Sequence, residues 1–166
     1  MVDSGSTERA VRRADPVDFW TENQPGFRFS ALEPGTREFF DEVASHRYSL
    51  EPAIKEMVRF DDWRGREVLE AGCGIGTDAV EFARAGARYT GLDFSPTALD
   101  LARRRFALEG LEARLVEGSV TALPFPERSF DLVYSNGVLH HVEDTHRAIR
   151  EVHRVLRPGG GWSSAT

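Results

Sequence analysis

The stretch that decides the fold is an apolar run leading into closely spaced glycines, Val68-Leu69-Glu70-Ala71-Gly72-Cys73-Gly74-Ile75-Gly76-Thr77. Residues 68–71 have the composition of a buried strand, and residues 77–85 follow with a helical pattern that ends at Gly86. Glycines at such a junction let the backbone turn sharply and admit a ligand where a Cβ atom would clash. The stretch predicts a strand, a ligand-binding turn and a helix, although three glycines alone are also compatible with an ordinary tight turn.

Strand-like and helical segments alternate on the C-terminal side of this stretch. Three further runs have the apolar composition of strands: residues 88–93, 113–117 and 130–135. Ser95-Pro96 places a capping hydroxyl before a proline, a typical helix start, and Gly110 ends that helix. A second helical pattern covers residues 144–157, before Pro158. This alternation predicts an α/β fold, a doubly wound parallel sheet of about four strands in the order 3-2-1-4.

The N-terminal part of the chain differs in composition from the rest. Residues 1–16 are polar or small, so we expect a disordered arm there. Aromatic side chains begin in residues 17–62, where Thr36 is placed to cap one helix and Ser49 to cap a second. These patterns predict a helical cap in front of the main domain, which we assign to residues 63–166.

Charge and composition restrict the classes of function. The chain has 166 residues, with 21 basic and 27 acidic side chains and a net charge of −6. Because a nucleic-acid-binding protein needs a basic face, we expect no nucleic-acid partner. No apolar run reaches the ~20 residues that cross a membrane, and residues 1–15 lack the apolar core of a secretory signal. With Cys73 as its single cysteine, the chain is expected to be cytoplasmic and free of disulfide bonds.

Asp93 supplies the first chemical signal beyond the glycines. It lies 21 positions after Gly72, at the predicted end of the second strand. A carboxylate at that position can accept hydrogen bonds from both hydroxyls of a ribose. The dinucleotide-binding spacing G-x-G-x-x-G would place a glycine where this chain has Thr77, which weighs against a nicotinamide-dependent dehydrogenase. That class of enzyme stays open as an alternative.

The glycine spacing resembles the first motif of class I S-adenosylmethionine-dependent methyltransferases. Four more segments are similar to motifs of that family: Gly91-Leu92-Asp93-Phe94-Ser95, Leu123-Pro124-Phe125-Pro126 with Ser129-Phe130-Asp131-Leu132-Val133, residues 136–141, and Leu156-Arg157-Pro158-Gly159-Gly160. The resemblance covers residues 66–160. It implies a Rossmann-like fold, S-adenosyl-L-methionine as cofactor and methyl transfer to a small-molecule substrate.

The resemblance also implies a set of cofactor-binding residues: Glu70, Gly72, Cys73, Gly74, Gly76, Asp93, Phe94, Ser119, Val120 and Asn136. Phe94 would flank the adenine, Asn136 would lie near the methionine portion, and Glu70 would orient the amino group directly or through water. Many family members have aspartate where this chain has Ser119. Because a serine hydroxyl accepts without the assistance of a charge, we expect a weaker adenine contact.

Three residues are candidates for a role in the transfer step. His140 and His141 follow the fourth strand, where the family places residues that face the methyl group, and a neutral imidazole can act as a general base. Packing and solvent exposure are the competing interpretation for this pair. Tyr48 is the candidate from the N-terminal layer. No further Cys or His accompanies the histidines at a zinc-binding spacing, so we predict no metal.

The C-terminal tail departs from the family pattern. Only six residues follow Gly160, whereas the family continues into a fifth strand and beyond. We therefore expect the domain to lack its C-terminal strands, with the fourth strand as an open edge through which the chain could self-associate. The polar tail also supports the hypothesis of a frameshifted or fragmentary product. A non-catalytic S-adenosylmethionine-binding domain is the corresponding alternative function.

Overall fold

A five-stranded parallel sheet organises the part of the chain that the computed structural model describes, residues 27–165. Its strands are β1 (Glu67–Ala71), β2 (Arg88–Asp93), β3 (Arg114–Glu117), β4 (Phe130–Asn136) and β5 (Leu156–Ala165). They lie in the order β3-β2-β1-β4-β5, and each neighbouring pair is parallel. The direction of winding reverses beside β1, and in such sheets the crevice at the carboxyl ends of the strands binds ligands.

Helices cover both faces of this sheet. They are α1 (Arg37–Leu50), α2 (Ile54–Val58), α3 (Thr77–Arg84), α4 (Pro96–Glu109) and α5 (Thr145–Val155), with short 3-10 turns at Phe27–Phe29, Phe60–Trp63 and Leu139–His141. The Rossmann-like α/β fold is confirmed. No helix within residues 27–165 has the length and apolar character needed to span a membrane. The predicted arm and residues 17–26 of the predicted cap lie outside the described residues.

Helix caps show where local sequence decided the structure. The hydroxyls of Thr36 and Ser95 accept hydrogen bonds from Phe39 N and Ala98 N, as the sequence predicted for α1 and α4. The predicted cap at Ser49 is wrong. That residue lies inside α1, where its hydroxyl donates to the carbonyl oxygen of His46 at 2.8 Å, and α2 begins after Ala53 with no side-chain cap.

The hydrophobic core lies on both faces of the sheet, because successive side chains of a strand point in opposite directions. Val68 and Tyr134 belong to a cluster with Phe82 of α3. Leu69 packs on the other face, with Val152 of α5. The two clusters hold the central strands between helical layers. Because these strands are parallel, the carboxyl ends of β1, β2 and β4 lie at the same edge of the sheet.

Strand β5 corrects the expected strand count and the expected open edge. It pairs with β4 through Val133↔Trp162 and Tyr134↔Ser163, so β4 is not an edge strand. Self-association through β4 therefore loses its structural basis. Ser163 and Ser164 do not have the apolar pattern that predicts a strand. An edge strand such as β5 pairs through main-chain hydrogen bonds, which need no apolar side chain. Trp162 packs against His153 of α5, with ring centroids 5.8 Å apart.

Candidate functional site

A cleft of about 490 Å³ lies at the carboxyl ends of the central strands. The glycine loop after β1, the end of β2 and the loops after β3 and β4 line it. Eight of the predicted site residues are among the lining residues: Gly72, Gly74, Asp93, Phe94, Ser119, Val120, Asn136 and His141. Five are not: Tyr48, Glu70, Cys73, Gly76 and His140. Elements far apart in the sequence thus meet around one cavity of the size that holds a small ligand.

Asp93 connects the end of β2 to the glycine loop. Its Oδ2 atom accepts a hydrogen bond from Gly74 N at 2.8 Å, and its Oδ1 atom accepts one from Ser95 N at 2.9 Å. Burial raises the pKa of this carboxyl, while main-chain N–H groups of Ser95, Gly74 and Phe94 oppose the shift. Because a carboxylate offers about four acceptor sites, capacity remains on the side that borders the cleft.

Two glycines of the loop are required for different reasons. At Gly72, where φ is +86°, an added Cβ atom would overlap the side chain of Val138. At Gly74, where φ is +51°, an added Cβ atom would meet nothing within 4 Å. Gly72 therefore allows protein packing, and Gly74 leaves open space beside Asp93 at the cleft. Such space next to a hydrogen-bonding carboxylate is what the close approach of a ligand requires.

The end of the cleft formed by Phe94 and Val120, called the far end below, is apolar and has the Ser119 hydroxyl at its edge. Phe94 is half-buried, and Val120 is buried in the cluster that contains Leu92. The Ser119 hydroxyl lies 2.8 Å from that of Thr121 and accepts a hydrogen bond from Thr121 N. This surface can pack against a flat aromatic group, while the serine contributes polarity without charge.

The opposite end of the cleft, at Asn136, is called the near end. It leads to a buried hydrogen-bond network that the sequence did not predict. Asn136 Nδ2 donates to the Tyr134 hydroxyl at 3.1 Å, and that hydroxyl donates to Asp78 Oδ2 at 2.7 Å. Arg47 and Tyr48 of α1 also donate to the Asp78 carboxylate. The side chain of Tyr48 is therefore engaged with Asp78, and a catalytic role for it stays a prediction. Asp78 lies next to Thr77 at the start of α3, but its partners are 30 or more positions away, so no local sequence pattern indicates this network.

Glu70 and Cys73 lie beneath the loop and do not line the cleft. Glu70 accepts a hydrogen bond from the Tyr89 hydroxyl at 2.6 Å. Burial, then the negative charge of Asp78, raises the pKa of the Glu70 carboxyl. Burial likewise raises the pKa of the Cys73 thiol, which disfavours the reactive thiolate form. A direct contact of either side chain with a ligand stays a prediction.

The two histidines occupy the 3-10 turn after β4. Their ring centroids are 3.9 Å apart, and only His141 of the pair lines the cleft. Burial, then the neighbouring His140, lowers the pKa of His141. A neutral imidazole bordering the cleft can accept a proton. Within residues 27–165, no group of three His, Cys, Asp or Glu side chains is arranged to hold a metal ion.

Comparisons with known proteins agree with this architecture. The family model described as a methyltransferase domain matches residues 69–162. A ubiquinone biosynthesis O-methyltransferase of Methylocella silvestris is 30% identical over 94% of this chain and 62% of its own length. A fatty-acid O-methyltransferase of Mycolicibacterium smegmatis is 43% identical over 60% of this chain and 36% of its own.

Solved structures lead to the same family. An S-adenosylmethionine-dependent methyltransferase of Mesorhizobium loti superposes with a TM-score of 0.56 and 35% identity, over 61% of this chain and 47% of that one. The chain thus spans less than two thirds of the length of each of these relatives. Since the family model matches more than half of its residues, the chain belongs to the methyltransferase domain family, among the class I S-adenosylmethionine-dependent methyltransferases.

Proposed function

We propose that the chain binds S-adenosylmethionine in the cleft and transfers its methyl group to a small-molecule acceptor. The observation that carries the proposal is the Asp93 carboxylate, which is turned toward Gly74 at the mouth of the cleft. Membership of the methyltransferase domain family supports the reaction class. The names of two relatives, which refer to ubiquinone biosynthesis and to fatty acids, support a small-molecule acceptor.

The residues of the cleft fit this cofactor. Asp93 retains acceptor capacity for the two ribose hydroxyls, and the space beside Gly74 admits the ribose and the methionine portion. Phe94 and Val120 provide apolar surface for the adenine, with Ser119 at its edge. When bound, S-adenosylmethionine supplies a methyl group on a positively charged sulfur, which leaves as a neutral thioether. The protein contributes chiefly alignment of the acceptor and exclusion of water.

His141 is the best-placed side chain for proton removal. It borders the cleft, and its lowered pKa favours the neutral imidazole near neutral pH. As the oxygen or nitrogen of an acceptor attacks the methyl carbon, the imidazole would take the proton that this atom loses. His140, beside it, helps to keep His141 neutral, because two positive rings 3.9 Å apart would repel each other.

A binding-only domain is the second candidate. The chain spans 62% of one curated relative and 36% of another, and transfer to an acceptor has to be tested on this chain itself. The relatives and the structure described above are methyltransferases, which disfavours a nicotinamide-dependent dehydrogenase. We also propose a cytoplasmic location, because the single cysteine, Cys73, is a buried free thiol.

Titration calorimetry followed by a transfer assay tests the proposal. The chain is titrated with S-adenosylmethionine, S-adenosylhomocysteine and NAD, and is then incubated with tritiated S-adenosylmethionine and a panel of phenols, carboxylic acids and amines. Binding of the first two ligands with transfer to a panel member is the expected result. Binding without transfer to any acceptor supports the binding-only domain. Preference for NAD, or no binding of S-adenosylmethionine, overturns the proposal.

A further inference from the structure

We propose that Asp78 is a positioning residue, which acts through Tyr134 to fix which end of the Asn136 amide faces the ligand. The inference rests on the proposed function, since it concerns the same cleft. Asp78 is 3% exposed, lies outside the lining of the cleft and touches no ligand surface. Its effect on binding would therefore pass through the two residues of β4.

The Asp78 carboxylate accepts hydrogen bonds from three side-chain donors. Its Oδ2 atom accepts from Arg47 Nη2 at 2.9 Å and from the Tyr134 hydroxyl at 2.7 Å, and its Oδ1 atom accepts from the Tyr48 hydroxyl at 3.0 Å. In all three contacts the Asp78 carboxylate is the acceptor, as a carboxylate in an ion pair with a guanidinium must be. The single proton of the Tyr134 hydroxyl is thereby committed to Asp78.

This commitment settles the orientation of Asn136. A hydroxyl whose proton points elsewhere can only accept, so it selects the NH₂ end of the amide, and Asn136 Nδ2 lies 3.1 Å from it. Turning the amide over would set its carbonyl oxygen against the hydroxyl oxygen with no proton between them. The Oδ1 atom therefore lies at the other end of the amide, and within residues 27–165 no side chain or main-chain group donates to it.

An acceptor held in this way gives the near end of the cleft a chemical preference. Asn136 lines the cleft beside the glycine loop and Gly137. Its carbonyl oxygen favours a cationic or N–H-donating group, which describes the sulfonium and ammonium half of the proposed cofactor. A freely rotating amide would offer an acceptor part of the time and a donor for the rest. The relay from Asp78 removes that ambiguity without a charge at the cleft itself.

The first test removes the Tyr134 hydroxyl and then replaces the Asn136 amide with a group that needs no orientation. Tyr134→Phe deletes the hydroxyl and keeps the ring, which packs on Phe82 with centroids 5.5 Å apart. We expect S-adenosylmethionine to bind about tenfold more weakly, the value of one oriented hydrogen bond. Adding Asn136→Asp should restore the affinity to within about threefold, because a carboxylate presents an acceptor in either orientation. Since the added charge also attracts the cationic half of the ligand, the reference is Asn136→Asp alone: a hydroxyl that merely stabilised the fold would lower the affinity of this variant as much as that of the wild type.

Two controls separate the outcomes. In an Asn136→Ala background, Tyr134→Phe should cause no further loss of affinity, because the amide it orients is gone. Wild-type protein that binds no S-adenosylmethionine overturns the proposed function. Wild-type protein that binds it, together with a Tyr134→Phe variant that binds equally well or is not rescued, overturns the relay alone. NMR of the wild-type protein tests the relay without any substitution. Cross-relaxation between the Asn136 NH₂ protons and the Tyr134 ring supports the relay. If the assigned spectrum shows no such cross-relaxation, the relay is contradicted.

Discussion

Two buried aspartates flank the glycine loop, and they are held in opposite ways. Asp93, 8% exposed, accepts from the main-chain N–H groups of Gly74 and Ser95 and borders the cleft. Asp78, 3% exposed, accepts from three side chains and is enclosed. Main-chain donors approach from the loop side and leave one side of the carboxylate for a ligand. Side-chain donors from α1 and β4 surround the other carboxylate, which joins the helical layer to the sheet.

The largest effect is expected from removing the enclosed carboxylate. Asp78→Ala should lower the free energy of unfolding by about 3 kcal/mol, because Arg47 and two tyrosine hydroxyls lose a buried partner. Glu51→Ala is the matched control, since it removes the other, 45% exposed, partner of Arg47 and should cost at most about 0.5 kcal/mol. Urea denaturation measures both. Equal losses would show that Asp78 is no more structural than a surface ion pair.

Removing the carboxylate that borders the cleft should act on binding instead. Asp93→Ala is expected to weaken S-adenosylmethionine binding at least about 100-fold, because two hydrogen bonds to a charged group are lost. Asp131→Ala is the control. That carboxylate accepts from Glu67 N and Arg157 at the opposite end of the sheet, so calorimetry should show unchanged affinity. Similar losses in both variants would mean that the effect reflects stability and not a contact.

The two glycines repeat the contrast on a smaller scale. Gly72→Ala should cost about 2 kcal/mol of stability, because its Cβ atom overlaps Val138, and adding Val138→Ala should recover part of this. Gly74→Ala should cost about 1 kcal/mol for its positive φ but reduce S-adenosylmethionine affinity about tenfold by filling open space. Thermal unfolding and calorimetry separate the two quantities. A Gly74→Ala variant with normal affinity would remove the loop from the proposed site.

A third carboxylate combines both modes and should show the smallest effect. Glu151 accepts from Arg154 and from Leu123 N, and the hydrogen bond from Arg154, against the effect of burial, lowers its pKa. A carboxyl with a lower pKa in the folded state contributes stability above its unfolded pKa and loses it as the pH falls through the folded value. Glu151→Gln should flatten the decline of stability below about pH 4.5, by roughly 0.5–1 kcal/mol. An unchanged slope in pH-dependent denaturation would contradict this assignment.

The sequence predicted the features whose causes are local. The strand-to-helix turn at residues 72–76, the Ser95 cap and the position of Asp93 follow from residue types within a few positions of each other. Strand β5 was not predicted, because it pairs with β4 through the main chain and its serines carry no apolar pattern. The role of Asp78 was not predicted, because its hydrogen-bond partners lie 30 to 56 positions away and only tertiary packing brings them together.

A crystal structure with S-adenosylhomocysteine tests the central claim most directly. It should show both ribose hydroxyls within about 2.6–3.0 Å of the Asp93 carboxylate oxygens, with the adenine between Phe94 and Val120. A ligand bound elsewhere, with Asp93 contacting only Gly74 and Ser95, would contradict the assignment of this cleft as the cofactor site.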